Sequence, residues 1–218
     1  MSYHLRVLQI IQKAVQQFEE PSVTQISKVT KHDPYRVLIS CLLSLRTKDA
    51  TTTQASIRLF FLADTPHKMI TLTPQRIERA IYPVGFYHVK TRTILDISKT
   101  LLKDYHGEVP KTMEELLTLK GVGRKTANIV LTYGHQNPEG LAVDTHVHRL
   151  SNRLGLVKTK IPEQTEHALR ALFPKKHWMI INDTFVTFGQ NICTPISPHC
   201  SICPAKKDCP RVGVTTSR

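Results

Sequence analysis

One short segment restricts the fold of this chain more than any other: Leu119-Lys120-Gly121-Val122-Gly123-Arg124-Lys125-Thr126-Ala127. It stands between two stretches of helical pattern, Met113 to Leu119 and Lys125 to Tyr133. Two glycines around one apolar residue make a tight turn, so the chain must double back helix against helix, with Val122 tucked beneath. The second helix then presents its first amides outward, where they and the helix dipole favour an anion. A Cβ at the glycines would hold a phosphate away. A dinucleotide fingerprint is excluded, because no strand precedes the segment and no third glycine stands at the right spacing. A Walker loop is excluded because no glycine directly precedes Lys125-Thr126. Gly-x-Gly alone also fits an ordinary helical turn, so the rest of the chain has to decide.

That rest is helical in pattern. Leu5, Leu8, Ile11, Val15 and Phe18 recur at three or four residues, and Asp33-Pro34 and Thr73-Pro74 pair a capping residue with a proline at the first helical position. His88 to Tyr105 carries an apolar stripe of Ile94, Leu95, Ile97, Leu101 and Leu102 and stops near Gly107. Asp144-Thr145 caps Val147 to Leu154 before Gly155, and Pro162 to Phe173 and Trp178 to Phe188 complete the series. No alternating run of strand length stands out, so the expected fold is all-α. The Gly134 to Gly140 stretch is the best turn-rich break and the expected subdomain junction.

With 218 residues the chain is long enough to bury a real core. Its net charge of +13, from 30 Lys and Arg against 17 Asp and Glu, attracts polyanions, nucleic acid first among them, although such charge also serves solubility alone. No apolar run approaches the roughly 20 residues that span a bilayer. The first residues lack the features of a signal peptide, so a cytoplasmic, nucleoid-associated protein is expected. Four of the five cysteines fall at Cys193-x6-Cys200-x2-Cys203-x5-Cys209. In a reducing compartment that crowding points to metal. Zinc sites commonly carry two C-x2-C pairs and this segment has one, whereas a 4Fe-4S cluster takes four cysteines; both metals stay open on spacing alone. Cys41, in an apolar helix, reads as a small buried hydrophobe. Lys206, Lys207 and Arg211 around the cysteines are either a phosphate-binding loop or plain surface charge.

The pattern L-x-G-V-G-x-K-T-A resembles the helix-hairpin-helix element that grips the DNA backbone without reading its sequence. Lys125 is then a candidate nucleophile toward a sugar C1′. An attacking amine must be unprotonated, and the helix N-terminus, desolvation under a nucleotide and the charge of Arg124 all disfavour its cation. Departure of a base leaves oxocarbenium character on the sugar, which a fixed carboxylate stabilises. Asp144 is the candidate; taken alone, its plain role is to cap a helix.

Taken together, Leu119 to Asn128, then Ala142-Val143-Asp144-Thr145-His146, then the cysteine spacing resemble the endonuclease III family, thymine glycol DNA glycosylases with AP lyase activity. The resemblance runs over nearly the whole chain. It implies a helical barrel at about 27–138 with the helix-hairpin-helix at about 112–134. The second helical subdomain would be 1–26 with 139–218, holding a 4Fe-4S cluster on Cys193, Cys200, Cys203 and Cys209 in the loop 193–209, with a DNA-binding cleft between the two. It implies base excision repair of oxidised pyrimidines in damaged double-stranded DNA by a monomer. Lys125 would form a Schiff base that leads to β-elimination, Asp144 would be the catalytic carboxylate, and Gly121, Val122 and Gly123 would hold DNA. Lys120 maps to a position outside the chemistry. Two departures concern recognition: Arg46 stands where many bacterial relatives carry a glutamine that fills the space left by the flipped base, and Phe86 where a leucine wedge is common. The rivals are a mismatch-specific glycosylase of the same fold, against which Lys125 argues, and a non-catalytic iron-sulfur helix-hairpin-helix DNA-binding protein.

Overall fold

The computed structural model of the chain describes residues 1–137 and 140–218. Pro138 and Glu139, within the expected junction, lie outside the described residues. Among the described residues there are twelve α-helices, one π-helical turn and one 3-10 turn, and no strand. No helix is long and apolar enough to cross a membrane. The chain divides into two compact units, one of Ser22–Asn137 and the other of Met1–Pro21 with Pro138–Arg218.

The first helix of the chain, α1 (Tyr3–Val15), belongs to the second unit; in the first unit the helices run α2 (Ser22–Val29), α3 (Pro34–Ser44), α4 (Asp49–Leu62), α5 (Pro66–Ile70), α6 (Pro74–Ile81), α7 (Tyr87–Asp104), α8 (Met113–Thr118) and α9 (Arg124–Ile129). Several starts are set locally. Asp33, Thr65, Thr73 and Thr112 accept from the backbone N–H three residues on, and proline occupies the first turn of α3, α5 and α6. Thr112 also donates to Glu115 Oε2 at 2.8 Å, tightening the start of α8. Helix α3 is the axis of the unit. Val37 through Leu43 are all buried, and α2, α4, α7 and α9 pack around it, as expected of a helix apolar on every side. Ser27, where the resemblance places the start of the barrel, lies inside α2.

The second unit contains α1 (Tyr3–Val15), α10 (Thr145–Arg153), α11 (Pro162–Leu172) and α12 (Trp178–Asn191). Its core joins Val7, Leu8 and Ile11 of α1 to Val147 and Leu150 of α10, Leu169 and Phe173, and Phe185 and Phe188 of α12. The Tyr3 hydroxyl stands 2.6 Å from Leu154 O and 2.8 Å from Asp208 O, and Arg6 pairs with Asp208 at 2.6 Å. These contacts fasten the first helix to the cysteine-bearing segment.

Candidate active site

The glycine turn between α8 and α9 is built as the pattern requires. Val122 is 6% exposed and its N–H donates to Leu119 O at 3.0 Å, so the apolar residue fixes the turn from beneath. Gly121 has φ +79°, which a side chain would strain. Gly123 differs: its φ of −99° suits any residue, and a Cβ there would meet nothing within 4 Å. Nothing inside the chain demands glycine at 123. Gly123 is also the N-cap of α9 and carries no capping oxygen. Lys125 is half-buried in the first turn of that helix, followed by the buried Thr126 to Ile129, and α9 packs on α3. Its charge acts on Cys41 of α3, whose thiol is pushed up to about 12 by burial with Lys125 opposing. Cys41 is thus a buried hydrophobe and not a nucleophile. Lys120 is committed elsewhere, in an exposed ion pair with Asp96 at 2.8 Å.

The helix after the turn departs from the sequence expectation. It leaves α geometry at Ile129 and continues as a π-turn over Val130–Gly134. The Ser27 hydroxyl donates to Tyr133 O at 2.8 Å, and Gly134 lies against Pro34, whose Cα would stand 2.9 Å from a Cβ. The widened turn follows from tertiary contacts with α2 and the start of α3, which no local periodicity records.

Arg46 and Phe86 are brought together: both have left-handed backbones, at φ 54° and 58°, and the guanidinium lies over the ring, 5.7 Å from its centroid. The residue that sequence reasoning missed is Lys90 of α7. It is buried and hydrogen-bonded to the segment carrying Arg46. Its spacing within α7 carries no signal of this, since its partners lie on another helix.

In the second unit Asp144 is the N-cap of α10. Its Oδ1 accepts from His146 N at 2.8 Å and Val147 N at 2.9 Å, so both capping bonds fall on one oxygen. The approach is rigid: Leu141, Ala142 and Val143 are buried, and Asn182 donates to Ala142 O at 2.9 Å. One turn on, Arg149 donates to Gly189 O at 2.8 Å and Cys193 O at 2.9 Å. Burial draws its pKa down, while the charges of Cys193 and Asp144 oppose that. Arg149 therefore ties the Asp144 helix to the first cysteine of the run. Arg153 extends the tie to Thr194 O at 2.7 Å.

Cys193, Cys200, Cys203 and Cys209 line one apolar cavity with Leu150, Phe188 and Ile192. Burial pushes the Cys203 thiol up to about 11 and raises Cys209, and the neighbouring cysteines add to both shifts. Thiols held protonated in this way would ionise together only beside a compensating cation, so the donor chemistry suits a metal centre. Among the described residues no three His, Cys, Asp or Glu side chains converge as ligands of a single metal ion.

The HhH-GPD superfamily of base excision DNA repair proteins matches residues 39–175. Endonuclease III of Thermotoga maritima is 50% identical over 177 residues, 81% of this chain and 83% of that protein. The chloroplastic endonuclease III homolog 2 of Arabidopsis thaliana is 43% identical over 83% of this chain, which spans 49% of its length. A solved trapped covalent intermediate of endonuclease III with DNA, in an estranged-adenine complex, superposes with a TM-score of 0.77 at 37% identity, covering 82% of this chain and 84% of that one. Identity at this level over most of this chain and of the Thermotoga maritima protein goes beyond a shared architecture: the chain belongs to the endonuclease III family of HhH-GPD base excision repair proteins.

Proposed function

We propose that this chain excises oxidised pyrimidines from damaged double-stranded DNA, with Lys125 as nucleophile. The observation that carries the reading is the position of Lys125 in the first turn of α9, two residues after a glycine that nothing within the chain requires. Backbone approach by a phosphate accounts for Gly123, and it delivers the adjacent sugar to the lysine. The amine nitrogen of Lys125 bonds to C1′ as the bond from C1′ to the base breaks, and the base leaves with a proton. The sugar ring then opens, the C1′–O4′ bond breaking and O4′ taking a proton, which leaves a Schiff base that acidifies the 2′ position; loss of that proton expels the 3′ phosphate by β-elimination, and water then releases the lysine. This is glycosylase and AP lyase chemistry, the activity of the family. Asp144, held by its cap, supplies the negative charge that stabilises the oxocarbenium-like sugar.

Arg46 and Phe86 meet the DNA at the lesion and bear on which opposing base is accepted. Cys193, Cys200, Cys203 and Cys209 would hold a 4Fe-4S cluster, which would tie their loop together. The protein works as a monomer, since copies of a chain with charge +13 repel one another.

Borohydride reduction of the Schiff base tests the assignment. A covalent adduct is expected on damaged or abasic duplex, absent in Lys125→Ala and retained in Lys120→Ala. An adduct that survives Lys125→Ala would move the nucleophile elsewhere.

A further inference from the structure

Arg46 and Phe86 sit in a backbone conformation that residues with side chains avoid, yet neither packs into the core: Arg46 is exposed and Phe86 is 62% exposed. Strained backbone persists only where surrounding structure holds it. Here the holding group is Lys90, which is 8% exposed. Its Nζ donates to Leu43 O at 2.9 Å, Leu45 O at 2.6 Å and Thr47 Oγ1 at 3.2 Å, using all three ammonium protons. The two carbonyls belong to the end of α3, where helix termini leave acceptors unsatisfied and the dipole favours a cation. Arg46 is the next residue, in the left-handed position that usually belongs to glycine.

The same anchor reaches the Phe86 turn. Thr47 Oγ1 accepts from Gly85 N at 3.2 Å, and Gly85 lies so close that a Cβ there would stand 2.8 Å from Arg46 O. The loop after α3 and the turn before α7 are thus clasped by Lys90, Thr47 and Gly85 beneath the paired side chains. An apolar residue would fill the place of Lys90 without burying charge, and burial lowers this amine to about 8. What the lysine adds is a fixed relation between two loops.

We infer that Lys90 is a positioning residue, fastening the Arg46 loop and the Phe86 turn into one element so that the two side chains meet the DNA as a unit. This rests on the reading above that Arg46 and Phe86 contact DNA. If they act as a unit, their effects are not additive while the clasp is intact and become additive when it is cut.

The experiment is a double-mutant cycle on single-turnover release of thymine glycol from duplexes with each of the four bases opposite. Arg46→Ala, Phe86→Ala and the pair are measured with Lys90 present and in Lys90→Met, with Lys103→Met as an exposed control on α7. Coupling of about two- to fivefold is expected with Lys90 and with the control. In Lys90→Met it should fall to none, with a changed opposing-base profile and the borohydride adduct kept. Gly85→Ala cuts the clasp from the other side and gives the answer should Lys90→Met fold poorly by melting. Coupling that is absent in the parent, or unchanged in a folded Lys90→Met or Gly85→Ala protein, overturns the inference. The reading beneath it fails separately, if Arg46→Ala and Phe86→Ala leave release and its base profile as in the parent.

Discussion

Asp144 caps α10, and on the proposed reading the same carboxylate also stabilises the reacting sugar; a conservative change separates the two roles. Asparagine caps helices as well as aspartate does, so Asp144→Asn should keep stability within about a few tenths of a kcal/mol. Removing the charge should slow base release about 10²- to 10³-fold. Asp144→Ala should lose about 1 kcal/mol of stability as well. Chemical denaturation beside single-turnover rates checks both, and a normal rate in Asp144→Asn would leave the residue as a cap alone. Lys90 offers a pH test. Burial holds its pKa at about 8 in the folded chain against 10.5 unfolded. Between those values the unfolded chain binds more protons, so stability rises with pH through the window. The parent should therefore gain on Lys90→Met from pH 8 to 10.5 in paired urea titrations; a constant gap contradicts the burial argument. Lys125 and Asp144 stood out as candidates in the sequence because each sits in a short local pattern, a glycine turn and a capped helix start. Lys90 was not, since a lysine among polar neighbours on a helix looks solvated until its acceptors are seen.

At the scale of elements the glycine turn separates conformation from contact. Gly121→Ala forces a side chain into φ +79° and should destabilise the chain by about 1 kcal/mol. Gly123→Ser meets open space in an extended backbone and gains a capping hydroxyl, so stability should hold or rise while DNA affinity falls. Melting curves beside binding isotherms decide this; unchanged affinity in Gly123→Ser would remove the backbone contact from the proposal. Helices α3, α6 and α10 were legible because Asp33-Pro34, Thr73-Pro74 and Asp144-Thr145 mark their starts with local hydrogen bonds. Helix α5 carries the same kind of start at Thr65-Pro66 but runs only from Pro66 to Ile70, α2 offers only Val23 and Ile26 as an apolar pair on its buried face, and α4 carries no clear apolar stripe. Asp49-Ala50-Thr51-Thr52-Thr53, at the start of α4, is short of both apolar residues and good helix formers, and its packing against α2, α3 and α6 supplies what propensity lacks.

For the whole molecule the charge of +13 makes a direct prediction. Log affinity for duplex DNA should fall with log salt by about 0.9 per phosphate neutralised, and a flat response in binding titrations would exclude a backbone clamp. Purified protein should carry about four irons per chain. Cys203→Ser should lower the iron content and the melting temperature together, whereas one zinc per chain would overturn the cluster assignment.

What the sequence alone determined is what depends on neighbours along the chain: helix starts and stops, the glycine turn, the cysteine spacing and the net charge. Only the tertiary structure decided which distant segments meet. It placed Arg46 over Phe86, buried Lys90 beneath both, turned the chain after Ile129 into a π-turn against Pro34, and tied the Asp144 helix to Cys193 through Arg149. The physical reason is one of range. Capping and periodicity act over three or four residues and leave their mark in local order, whereas close packing selects partners by shape and unsatisfied hydrogen bonds from anywhere in the chain.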